Sequence, residues 1–129
     1  MNTHVSFEIA KLLREKRFNL SVSKRYNSNG KLSRYTQFPE NYNTGVWSSE
    51  CSAPTIADVV MWLYKEYSLW ILALPTITGH FAYKIVDVQL NPEKTIERPP
   101  YKDVSSEDFN LPTEAYEAAI KYILNTLII

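Results

Sequence analysis

The chain has 129 residues and a mass of 15.0 kDa, with 14 basic and 14 acidic side chains and a formal net charge of zero. Its length suits one domain spanning residues 1–129, since domains commonly run about 100–200 residues, and 45% hydrophobic with 22% charged content excludes wholesale disorder. One cysteine excludes an intrachain disulfide and a cysteine-based zinc cage, and three glycines without a GxGxxG or P-loop pattern argue against a phosphate-cradling loop.

Ser6 is a candidate N-cap, with Glu8 in the first turn behind it and Lys16 and Arg17 at the far end, a charge order that suits the helix dipole. Ile9, Leu12, Leu13 and Lys16 follow helical spacing, so a helix is predicted over Phe7–Arg17, with Phe18 and Leu20 closing over its end. In Ser21–Gln37 the dipeptide Asn29-Gly30 predicts a hairpin, because both residues tolerate positive φ. Phe38–Pro54 is rich in Asn, Ser and Pro and reads as a long loop, with Tyr42 and Trp47 as its anchors.

Thr55 and Asp58 form a capping-box pattern ahead of Ile56, Val59, Val60, Leu63 and Tyr67, which line one face of a helix over Thr55–Tyr67. Trp62 falls off that stripe, leaving it either under the preceding loop or exposed. Leu69–Leu74 and Phe81–Val88 are strand-like around a Pro75–His80 turn, and the second strand carries bulk on both faces, as a central strand does. Gln89–Asp103 reads as a connector with room for a short edge strand near Thr95, and Ser105–Asp108 as the start of one helical turn. Thr113 is the expected cap of a last helix whose stripe is Tyr116, Ala119, Ile120, Ile123, Leu124 and Leu127.

The resulting fold class is α+β, a small two-layer domain of order α-β-β-α-β-β-(β)-α with an antiparallel sheet against two or three helices. Its expected core is Leu13, Ile56, Val59, Val60, Leu63, Ile71, Phe81, Ile85, Tyr116, Ala119, Ile120, Ile123 and Leu127. No secretion-type leader pattern opens the sequence, and no apolar run approaches the length of a membrane span. With a lone Cys51, this points to a reducing cytoplasm and to no membrane partner.

APTIADVVMWLYKEYSLWI (Ala53–Ile71) and LPTEAYEAAIKYILNTLI (Leu111–Ile128) resemble segments of small uncharacterised proteins of gut-type bacteria and their tailed phages or prophages. The resemblance implies a small accessory protein of phage or mobile-element origin, placed in the host cytoplasm or within a phage particle. It carries no activity, cofactor or functional residue.

Charge is unevenly placed. Residues 1–34 hold eight basic and two acidic groups, a net +6, and residues 35–129 hold six basic and twelve acidic, a net −6. This asymmetry, with interface-prone aromatics in the hairpin and loop, marks Lys24, Arg25, Tyr26, Lys31, Arg34, Tyr35, Tyr42 and Trp47 as a candidate interaction surface. The leading expectation is a non-enzymatic accessory or assembly protein acting through protein contacts, including self-association. One alternative is a nucleic-acid binder with Tyr26 and Tyr35 as stacking platforms for bases. Against it stands a pI of 6.7. The other is an enzyme built on Cys51, His80 and Asp87, or on the carboxylate pairs Glu93/Glu97 and Glu107/Asp108. His4 and His80 lack ligand spacing, so neither metal nor cofactor is expected.

Overall fold

A computed structural model describes residues 3–33, 39–44, 51–88, 101–104 and 109–128. Among these the chain forms an α+β domain of three helices and two small antiparallel sheets. In order they are α1 (Phe7–Glu15), β1 (Arg25–Tyr26), β2 (Cys51–Ser52), α2 (Ile56–Tyr67), β3 (Leu69–Pro75), β4 (Phe81–Asp87), β5 (Tyr101–Val104) and α3 (Pro112–Tyr122), which continues as a π-helical turn over Ile123–Leu127. The expected order holds roughly: β1 pairs with Cys51–Ser52, inside the Phe38–Pro54 segment expected as a loop, and among the described residues the far arm of the Asn29-Gly30 hairpin keeps only a Tyr26–Leu32 bridge. β4 is indeed central in the sheet β3-β4-β5, and the edge strand lies at Tyr101–Val104. The expected strand site near Thr95 and the turn at Ser105–Asp108 lie outside the described residues.

Local chemistry sets the helix ends. Ser6 accepts a hydrogen bond from the Ile9 N–H, and Thr55 and Asp58 make the full reciprocal capping box. α3 departs from expectation. It starts after Leu111, which gives no side-chain cap, and Thr113 falls inside the first turn. Pro112 explains the shift, since its fixed φ is ready for a helix and its missing N–H would have had no partner there. α1 ends at Glu15, not at Arg17, because Arg17 turns into the left-handed region at φ 63°. The Phe18 N–H then bonds to the Leu13 carbonyl, which closes the helix end. Phe18 is buried as expected, whereas Leu20 is exposed.

Both hairpins close by the same device. The Gly30 N–H bonds back to Asn27 and the Asn27 N–H to the Lys31 carbonyl, while in the second hairpin Gly79 bonds back to Thr76 and Thr76 to His80. Each loop of three residues ends on a glycine at positive φ, 79° and 81°. Asn29 does not take positive φ, so the first turn is one residue longer than the two-residue type that Asn-Gly suggests. Gly30 also meets the Phe7 ring, which would lie 2.7 Å from a Cβ placed there.

β3 and β4 pair in full register, Ile71 opposite Ile85 and Ala73 opposite Tyr83. Leu69, Ile71, Tyr83 and Ile85 are buried and face the helices, so the odd-numbered positions form the inner face. α2 and α3 pack on this hairpin, and α1 packs on α3 and β2. The core is continuous through Leu13, Ile56, Val59, Val60, Leu63, Ile71, Ile85, Ala119, Ile120 and Ile123. Phe81, Tyr116 and Leu127, also expected there, lie at its margin, only partly buried. Trp62 belongs to the core, with edge-to-face contacts to Phe18 at 5.2 Å and Tyr67 at 5.4 Å.

Candidate interaction surface

Of the surface expected from sequence, the fold removes Tyr26. Tyr26 is buried, not a platform. Its ring tilts against Phe7 at 5.4 Å, and its hydroxyl donates to the Val5 carbonyl at 2.5 Å. Burial, with Glu117 and Cys51 adding to it, raises its pKa above the usual value for a phenol. The reason is β1. Tyr26 pairs with Cys51 across the small sheet, and that register turns its ring onto α1. Arg25, its neighbour, points the other way and stacks its guanidinium over Tyr42 at 5.2 Å. Lys24 is half-buried and Lys31 exposed. Arg34, Tyr35 and Trp47 lie outside the described residues, so the surface survives there only as Lys24, Arg25, Lys31 and Tyr42.

The thiol-based trio is not assembled. Cys51 is buried in β2, and burial pushes its thiol above the usual range even though Arg14 and Lys11 pull the other way. A nucleophilic thiol needs the opposite shift. His80 precedes β4 and Asp87 ends it, which separates them by about 20 Å at the usual strand rise. His80 hydrogen-bonds within its own turn through Thr78. Glu93, Glu97, Glu107 and Asp108 lie outside the described residues.

One cleft of about 330 Å³ lies between α1 and α3. Two of its carboxylates are engaged. Glu8 pairs with Lys121 at 2.8 Å, which lowers its pKa, and Glu117 accepts the Ser6 N–H at 2.9 Å. Burial still holds the Glu117 carboxyl above its usual 4.5, with the Ser6 N–H partly offsetting it. Among the described residues no cluster of three or more His, Cys, Asp or Glu side chains could hold a metal ion, and no helix is long and apolar enough to cross a membrane.

What the sequence reading missed is the second face of the β3–β4 hairpin. The even positions Trp70, Leu72 and Leu74 lie opposite Val86, Lys84 and Ala82. All six are only partly buried, and Trp70 packs in part against the core. Trp70 meets Tyr64 of α2 edge-to-face at 5.6 Å, with Tyr64 itself exposed. Val88 continues this face, and Ile77 stands fully exposed at the hairpin tip. The signal was present in the unbroken apolar run of β3. A strand with a wet outer face alternates apolar with polar residues, and this one does not.

No protein-family model, curated protein or solved structure matches the chain.

Proposed function

We propose that this chain is a non-enzymatic accessory or assembly protein of phage or mobile-element type, working through protein–protein contact on the outer face of β3 and β4. The observation that carries the reading is the composition of that face. Five of its six positions are apolar, and Lys84 is the one charge among them. An apolar patch rimmed by polar surface is the physical mark of a contact site, because covering it removes hydrocarbon from water. The phage or mobile-element origin rests only on the resemblance of residues 53–71 and 111–128.

The buried thiol and the separated His80 and Asp87 give a catalytic reading no support among the described residues. The nucleic-acid reading loses Tyr26 as a base platform and is not favoured. The test compares the native protein with Leu72→Lys, each first shown to melt cooperatively. Light scattering after size exclusion is run at about 50 mM and about 500 mM salt, a range that screens surface charge, alongside capture from lysate of the producing cell. A complex is expected that survives high salt and is lost in Leu72→Lys. A complex unchanged in Leu72→Lys, or no complex of any kind, would overturn the reading.

A further inference from the structure

α1, α2 and α3 run out around one cleft, and each end departs from a regular helix. α1 closes in a Schellman turn, with the Phe18 N–H on the Leu13 carbonyl and the Arg17 N–H on the Arg14 carbonyl. The left-handed residue of such a turn is usually glycine, and here it is Arg17 at φ 63°. α2 ends on Ser68, also left-handed at φ 55°. Among the described residues these two alone, glycines apart, hold positive φ. α3 runs out through the π-helical turn Ile123–Leu127, a rare geometry that recurs at functional sites.

Glu15, Lys16 and Arg17 from the first end, Tyr67 from the second, and Leu127 and Ile128 from the third line a cleft of about 460 Å³. Small-molecule sites commonly have roughly 300–1,000 Å³. A strained backbone held where it lines a cleft is a pointer to function, because glycine at the same place would fold without the strain. Complementing the α1 dipole does not account for Arg17, since Arg14 already supplies a cation in the last turn.

The walls of the cleft differ in chemistry. Neither Lys16 nor Arg17 has a side-chain hydrogen-bond or ion-pair partner among the described residues. Tyr67 is exposed, and buried Trp62 braces its ring edge-to-face at 5.4 Å. Leu127 is partly buried and Ile128 buried, so this side is apolar. Two cations against the single carboxylate of Glu15 leave one unit of positive charge.

We infer that this cleft binds a small organic monoanion, a carboxylate joined to an aromatic or aliphatic body. The Arg17 guanidinium takes the carboxylate through two parallel hydrogen bonds with Lys16 beside it, and the body lies against Tyr67 and Leu127. One unit of positive charge matches a monocarboxylate, whereas a polyphosphate would bring unbalanced charge against Glu15. The site shares no residue with the outer face of β3 and β4 and stands apart from the protein-contact reading.

The probes are phenylacetate and octanoate, each against the alcohol of the same carbon skeleton, titrated to about 5 mM and followed by backbone amide NMR. Both acids are expected to shift the amides of Lys16–Phe18, Tyr67–Leu69 and Leu127–Ile128 saturably, with the alcohols at least about tenfold weaker. Arg17→Gly is the discriminating variant. Glycine suits the left-handed turn, so this variant should melt no lower than native protein while binding the acids at least about tenfold more weakly. Should Arg17→Gly melt lower, Lys16→Gln decides: it sits at an ordinary negative φ of -90° and should weaken binding with the fold intact. Absence of saturable shifts at these amides with either acid, alcohols that bind as well as the acids, or a folded variant that binds like native protein overturns the ligand assignment.

Discussion

Gly30 and Gly79 occupy the same position in two like-built turns and differ in what surrounds them. Both hold φ near 80°, where a side chain meets its own backbone. A Cβ at Gly79 would meet nothing within 4 Å, whereas at Gly30 it would run into the Phe7 ring. Gly79→Ala therefore carries the backbone term alone, about 1–2 kcal/mol. Gly30→Ala adds displacement of Phe7, which also packs on buried Tyr26 and lies under Lys11 at 4.7 Å. Crowding of that kind typically costs about 1–3 kcal/mol more. Urea denaturation of the two variants should rank Gly30→Ala as clearly the less stable. Equal losses would mean that the turn does not seat on α1 as described. Tyr26 shows the limit of reading single residues from sequence: a tyrosine beside Lys24 and Arg25 looks like surface, and only its pairing with Cys51, 25 positions on, turns it inward.

At the scale of elements, α1 and α3 are tied at one end by a partly buried backbone-to-carboxylate bond, Ser6 N–H to Glu117, and by the exposed Glu8–Lys121 pair. The two ties respond oppositely to pH. Glu117 has a raised folded-state pKa, so its contribution is greatest below 4.5 and is lost as pH rises through the folded value. Glu8 has a lowered one, so its contribution is present above 4.5 and is lost as pH falls through the folded value. Glu117→Gln keeps an oxygen to accept the Ser6 N–H and removes the charge. It is expected to melt higher than native protein at pH 7, with the gap closing as pH falls toward 4.5. Since Glu8 is present in both proteins, its titration cancels in the difference. A gap that widens on acidification would place Glu117 as a favourable charge and contradict its burial. Helices and hairpins of this kind were legible in the sequence because their signals are local: Thr55 with Asp58, the stripe from Ile56 to Tyr67, glycines at turn positions. The β1–β2 pairing was not legible, since two-residue strands separated by a long loop leave no periodicity to read. Trp62 was ambiguous for a related reason, because its partner Phe18 comes from the end of another helix. The candidate contact face was written in β3 but was not singled out, since a strand apolar on both faces has the same pattern whether its second face is covered by its own chain or by another.

At the scale of the whole molecule, the neutral total hides a +6/−6 division along the chain, and that division and the apolar outer face of β3 and β4 make opposite demands on salt. Association driven by the charge division would weaken from about 50 to about 500 mM salt, as the screening length falls below the size of the charged patches. Association through the apolar outer face would hold or strengthen, because hydrocarbon burial is not screened. Folding and pairing are then linked by mass action. A partner that binds only the folded chain stabilises it more as its concentration rises, so the melting temperature of native protein should climb between about 5 and 500 µM. Leu72→Lys should melt at one temperature across that range, and native protein should keep its concentration dependence at about 500 mM salt. A melting temperature independent of concentration in the native protein would mean that copies of the chain do not join through this face, and the apolar outer face would then have to be matched to a different chain.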